Sequence, residues 1–165
     1  MQYLIDGHNL IGKMSDIHLD DPDDEVKLVL RLRSWSAKSR KRKVTVIFDH
    51  GLPGGEDRGL SSGKVKVIFA PSGRSADSLL IGRIRNVKNP AEYTLVSSDT
   101  RIIRLAEGRR MSVQRSEVFA DRMNQEQAQS KHSSSDQTVD DQQVSADEVA
   151  MWMEMFTSSQ EDSEG

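Results

Sequence analysis

The sequence predicts an α/β domain: a mostly parallel central sheet covered by helices on both faces, then a linker and a short amphipathic tail helix. Three observations carry that prediction. Short apolar runs recur at 3–5, 44–48, 65–69 and 94–96, and helical-period segments lie between them. The runs at 44–48 and 65–69 are continuous and rich in Val and Ile, as suits strands buried on both faces. Of the 165 residues 35% are apolar and 30% charged, so one domain fits the length and part of the chain is expected to stay disordered.

YLI at 3–5 is the first strand and stops at Asp6-Gly7. The first long helix is expected to open with Asp21 as N-cap and Pro22 at the first helical position, with Asp23, Asp24 and Glu25 complementing its dipole. Val26, Leu28, Val29, Leu30, Leu32 and Trp35 give it a wide apolar face, and it fades into Lys38, Arg40, Lys41, Arg42 and Lys43. VTVIF at 44–48 ends at Asp49-His50-Gly51, and Leu52-Pro53-Gly54-Gly55 reads as a loop. VKVIF at 65–69 ends at Ala70-Pro71, and a helix is predicted over roughly 75–87 on Leu79, Leu80, Ile81, Ile84 and Val87. TLV at 94–96 runs into Ser97-Ser98-Asp99, then a helix at 100–107 stopped by Gly108, then a short strand at 111–114.

The core domain is therefore read as 1–120. Gln, Ser and Asp dominate 121–144, which is read as a disordered acidic linker. In the tail, 145–165, Val149, Trp152, Met153 and Phe156 are spaced i, i+3, i+4, i+7, with Ser145 and Glu148 forming a capping box, so a helix is expected over 145–157. Its destination is left open between its own domain, a second copy and a partner protein.

Composition narrows the function classes. There is no cysteine, which removes disulfides, thiolate metal sites and cysteine nucleophiles. Nothing resembles a membrane span or a signal peptide, so a soluble cytoplasmic protein without a membrane partner is expected. The net charge of −3 divides into +6 over residues 1–120 and −9 over 121–165. A basic body with an acidic tail admits either a polyanionic partner or an internal mimic of one.

Three predicted strands end in aspartate, Asp6, Asp49 and Asp99, and Asp77 falls in the first turn of the helix after the third strand. In a parallel sheet all strand ends lie on one edge, where ligands bind. Singly, each aspartate has an ordinary use as a cap, a dipole partner or a turn residue. Jointly they would repel unless cations neutralise them, and an oxygen-only set suits Mg²⁺ or Mn²⁺. Such clusters activate water for phosphodiester cleavage. Asn9 adds an oxygen or an amide donor, with a turn hydrogen bond as its plainer use.

The segments LIDGHNLIG, VTVIFDHG, VKVIFAPSGRSADSLLIGRI and TLVSSDTRIIRLAEG, covering about 2–120, resemble the NYN (YacP-like) branch of the PIN-like nucleases. The most specific pieces are D-G-x-N, A-D opening the middle helix, and S-S-D. The resemblance implies a PIN-like three-layer αβα fold and a metal-dependent RNA endonuclease, with Asp6, Asn9, Asp49, Asp77 and Asp99 at matching positions. Some members act on messenger RNA at the ribosome, which adds that partner to the implied list. His8 stands where an aromatic such as Tyr is frequent, and the loop at 50–64 is unusually Gly-rich.

Lys13, Arg58, Lys64, Arg74 and Arg101 are expected on the aspartate edge, with Arg74 and Arg101 either clamping a phosphate or pairing with carboxylates. The run at 38–43 lies one strand length from that edge and reads as a solvated helix end, with a hold on a distant stretch of RNA or a ribosomal surface as the alternative. His8 and His50 border carboxylates and read as hydrogen-bonded loop histidines, ahead of a general acid or a substrate contact. The competing function is a non-catalytic RNA- or ribosome-binding adaptor on the same fold. Aspartyl-phosphate chemistry is disfavoured because His8 occupies the place of its second acid, and no glycine-rich P-loop is present.

Overall fold

The buried apolar runs of the sequence pair side by side in one six-stranded sheet. In this computed structural model, which describes residues 1–50, 54–133 and 149–153, the strands are β1 (Gln2–Asp6), β2 (Lys43–Phe48), β3 (Gly55–Glu56), β4 (Val65–Phe69), β5 (Tyr93–Val96) and β6 (Ser112–Gln114). Their order is β3-β4-β2-β1-β5-β6. All neighbours are parallel except β3, a two-residue strand that pairs antiparallel with β4 and closes that margin. β1 is central: Gln2 lies opposite both Lys43 and Tyr93, so the strands start in step and end in step.

The strand period of two separates the core into halves. Tyr3, Ile5, Val44, Val46, Phe48, Val65 and Val67 face one way, beneath α1 (Gly7–Ile11), α2 (Asp24–Ala37) and α5 (Ser116–Ser133). Leu4, Ile47, Ile68 and Leu95 face the other, beneath α3 (Ala76–Asn86) and α4 (Thr100–Gly108). The result is the expected three-layer αβα arrangement.

Two boundaries differ from the sequence reading. α2 begins at Asp24, and Asp21 and Pro22 lie in the turn before it. The Asp21 carboxylate accepts from the His18 N–H and from Lys27 Nζ, so it closes the preceding turn instead of capping the helix. The second difference is larger. Residues 121–133, assigned to a disordered linker, continue α5. Phe119, Ala120 and Met123 are buried. Phe119 meets Trp35 edge-on at 4.9 Å, and Tyr3 meets Trp35 at 4.8 Å. Arg42 grips Glu126 with two hydrogen bonds, 2.8 and 3.0 Å, while its guanidinium lies 4.0 Å over Trp35.

Residues 1–130 pack as one unit and 131–165 as a second. In the second, residues 149–153 are helical; the rest of the tail helix read over 145–157, and 134–144 of the linker, lie outside the described residues. Among the described residues no helix is long and apolar enough to cross a membrane.

Candidate active site at the carboxyl edge of the sheet

β1 delivers Asp6 to the edge and α1 starts at once behind it. Asp6 caps α1, accepting from the Asn9 N–H at 3.3 Å. Gly7 permits this turn because a Cβ there would sit 2.3 Å from the Phe48 ring. Asp6 is only 6% exposed. Burial pushes its carboxyl up to about 6, and the charges of Asp77 and Asp49 push the same way against the Asn9 N–H and His8.

Asp49 follows β2, and its Oδ1 accepts from the Ala76 N–H at 2.6 Å, pinning the start of α3 to the edge. α3 carries a Ser75–Ser78 capping box and places Asp77 in its first turn. Burial raises Asp77, and Asp99 and Asp49 add to the rise while Arg101 opposes it. Asp99 caps α4 through the Arg101 N–H at 2.9 Å. Arg101 holds Asp99 below the usual carboxylate range. Its Nη2 lies 3.0 Å from Asp99 and 3.3 Å from Asp77, and the side chain is 78% exposed. It is thus a displaceable counter-ion across two acids.

The structure brings Asp6, Asp49, Asp77 and Asp99 from four chain segments to one edge. They line it without closing into a cage: among the described residues, no three of them bring one oxygen each within 4.8 Å. The group that does is His8, Asp24 and Glu25. His8 Nε2 lies 3.2 Å from Glu25 Oε1, and His8 Nδ1 accepts from the Asp49 N–H at 3.3 Å, which puts the ring proton on Nε2. That hydrogen bond draws Glu25 down to about 2, whereas burial and then the Glu25 carboxyl push Asp24 up to about 6. The sequence reading gave Asp24 and Glu25 only a helix-dipole role. The unusual His8 was the available clue.

Asn9 is used by the fold. Its Oδ1 accepts from the Ser98 N–H at 2.9 Å and from the Ser116 hydroxyl at 2.7 Å. Ser98 in turn donates its hydroxyl to Glu117 and accepts from the Ser116 N–H at 3.1 Å. Helix α5 is therefore stitched to the loop that carries Asp99. No local motif signalled Ser116 or Glu117. Of the basic residues expected here, Arg101 reaches the carboxylates. Lys13 is exposed after α1 and acts electrostatically on Glu117. Arg74 is exposed in the turn before α3, and Arg58 is exposed in the turn after β3. Lys64 is a correction: it precedes β4 at the opposite edge, where its ammonium donates to the carbonyls of Ser36 and Ser39. His50 is exposed, with φ of 57° directly after Asp49.

The donor set fits a divalent hard cation. It consists of carboxylate oxygens, and burial first, then the charge of neighbouring acids, raises Asp6 and Asp77.

The model of the YacP-like NYN domain matches residues 3–157. The chain belongs to the YacP-like NYN family. Its match extends beyond residue 120, in keeping with a helix α5 that is integral to the domain. Among solved structures, the chain is similar to Rae1 (YacP) from Bacillus subtilis, at 15% identity and a TM-score of 0.66, covering 98% of this chain and 91% of that one. It is also similar to a tryptophan-to-leucine mutant of the same protein, at 18% identity and a TM-score of 0.62, covering 79% of each. No curated protein sequence matches the chain. The fold of this YacP-like NYN protein is the PIN-like nuclease fold.

Proposed function

We propose that the chain is a divalent-metal-dependent endoribonuclease that hydrolyses RNA phosphodiester bonds in the cytoplasm. One observation carries this reading: four aspartates from separate segments line one sheet edge, and the most buried of them, Asp6, is pushed up to about 6 by burial and then by its neighbours' charge. Asp6, Asp49, Asp77 and Asp99 are the residues that would hold Mg²⁺ or Mn²⁺. When bound, the ion would supply Lewis-acid stabilisation of phosphate charge and a more acidic water. The chain's own groups do the positioning. The Asp6 and Asp49 carboxylates are fixed by the N–H groups of Asn9 and Ala76. Arg101, exposed and shared between two acids, is placed to turn to a phosphate once those acids are neutralised.

The test is incubation of purified protein with mixed RNA and Mn²⁺, with Asp99→Asn as control. We expect 5′-phosphate and 3′-hydroxyl ends, and a loss of about a thousandfold in the variant. Full activity in Asp99→Asn, or in EDTA, would overturn the assignment. Messenger RNA on the ribosome is the proposed physiological substrate, tested by co-sedimentation with ribosomes. A second reading, a non-catalytic RNA- or ribosome-binding adaptor, draws on the open spacing of the carboxylates. It predicts RNA retention on a filter without cleavage under any metal.

A further inference from the structure

The acidic edge is poorly suited to hold RNA. Every nucleotide brings a negative charge, the edge presents four carboxylates, and Arg101 is already engaged with two of them. Beyond the one phosphate that Arg101 can turn to, an RNA-cleaving enzyme of this shape gains affinity from phosphate contacts elsewhere. The other end of the sheet offers them. Beneath the C-terminal end of α3, at the starts of β1 and β5, lies an open cavity of about 550 Å³. Its lining includes Lys66, Arg83 and Lys88 against one carboxylate, Glu92, together with the Asn89 amide and the half-buried Tyr93 ring. Cations for phosphates, an amide for a base edge and an aromatic face for stacking are the elements of single-strand recognition. The size is that of a small-ligand pocket and admits a nucleotide.

The surroundings leave the polar groups available, while Tyr93 packs in part against the core beneath α3 and α4. Arg83, Lys88 and Asn89 are exposed, and Lys66 makes one ion pair at 3.0 Å, with Glu56, both ends half exposed. The carbonyls ending α3 do not face a ligand unmet: Arg83 O accepts from the Val87 N–H at 3.0 Å, and Gly82 O from the Asn86 amide at 2.8 Å. Arg109 holds the Val87 carbonyl at 2.8 Å and fixes the 87–89 loop against the domain.

We propose that this cavity is a second RNA-binding site, which anchors a single-stranded stretch of the substrate remote from the bond that is cut. The four residue steps from Gln2 to Asp6 place it about 13 Å from the acidic edge, one strand length away. The inference rests on the endoribonuclease reading and adds where that enzyme's affinity comes from.

Binding is measured by fluorescence anisotropy with a labelled single-stranded RNA in EDTA, so that cleavage plays no part. Arg83→Ala/Lys88→Ala is compared with wild type and with Arg104→Ala/Lys131→Ala, which removes equal charge from exposed positions outside the cavity. The expected result is a loss of about tenfold or more in affinity for the first variant, and a salt dependence flatter by about 1.4 for two lost contacts. The control should change little. Wild-type affinity in the cavity variant, an equal loss in the control, or no RNA binding by the wild-type chain would each overturn the proposal. RNA binding by the wild-type chain without cleavage under any metal would instead remove the nuclease reading and leave this binding result intact.

Discussion

The two ends of the sheet treat charge in opposite ways. At the start of β2, Arg42 finds Glu126 through two hydrogen bonds, and near the start of β4, Lys64 caps the carbonyls of Ser36 and Ser39. At the finish of β1, acids gather, and burial first and the neighbouring acids second push Asp6 up to about 6. Charges that serve the fold have opposite partners. The crowded ones cost the metal-free protein stability, and that cost marks them as serving something else.

Substitutions at the two ends should therefore have opposite signs. The largest effect belongs to the paired end. Glu126→Ala leaves the half-buried Arg42 guanidinium over Trp35 with the Trp35 carbonyl but no carboxylate, and should lower the unfolding free energy by about 2 kcal/mol in a urea melt. A loss below about 0.5 kcal/mol would mean the pair is idle. Asp6→Asn, measured without metal above pH 6, should stabilise by about 2 kcal/mol while abolishing cleavage.

A pH titration sharpens the second case. The folded Asp6 keeps its proton to a higher pH than the unfolded 3.8, so the metal-free fold loses stability as pH rises from about 4 to about 6 and regains none above. Asp6→Asn should accordingly bring no gain below pH 4. Mn²⁺ affinity should climb through the same window and level off above about 6, because the ion must displace that proton; a flat profile by calorimetry would remove Asp6 from the ligand set. The smallest effect is expected from Arg101→Ala. Its side chain is 78% exposed, so the midpoint of the urea melt should match that of the wild type.

Much of this was legible in the sequence, for identifiable reasons. β2 and β4 are continuous apolar runs because helices cover both faces, and such runs look the same wherever they occur. The four aspartates could be placed because parallel strands share an edge whatever their separation in the chain. Helix α5 was obscured because its buried residues, Phe119, Ala120 and Met123, occupy only its first two turns. Its continuation depends on Glu126 meeting Arg42, 84 residues away. The start of α2 was displaced because Asp21 is a good cap chemically but is engaged by His18 and Lys27. Lys64 was misplaced by proximity in sequence to the right elements, whereas its end of β4 decides which edge it serves.

The three-way junction at Asn9 carries a consequence for the order of assembly. Its single oxygen joins the turn after β1 to Ser98 and to Ser116, 107 residues further along. The N-terminal strand is synthesised early, yet the loop bearing Asp99 receives its last tie only when the opening of α5 has left the ribosomal tunnel. A nascent chain thus carries all four acids before it carries the brace on the loop of one of them, and the acidic edge is completed late in translation of the domain.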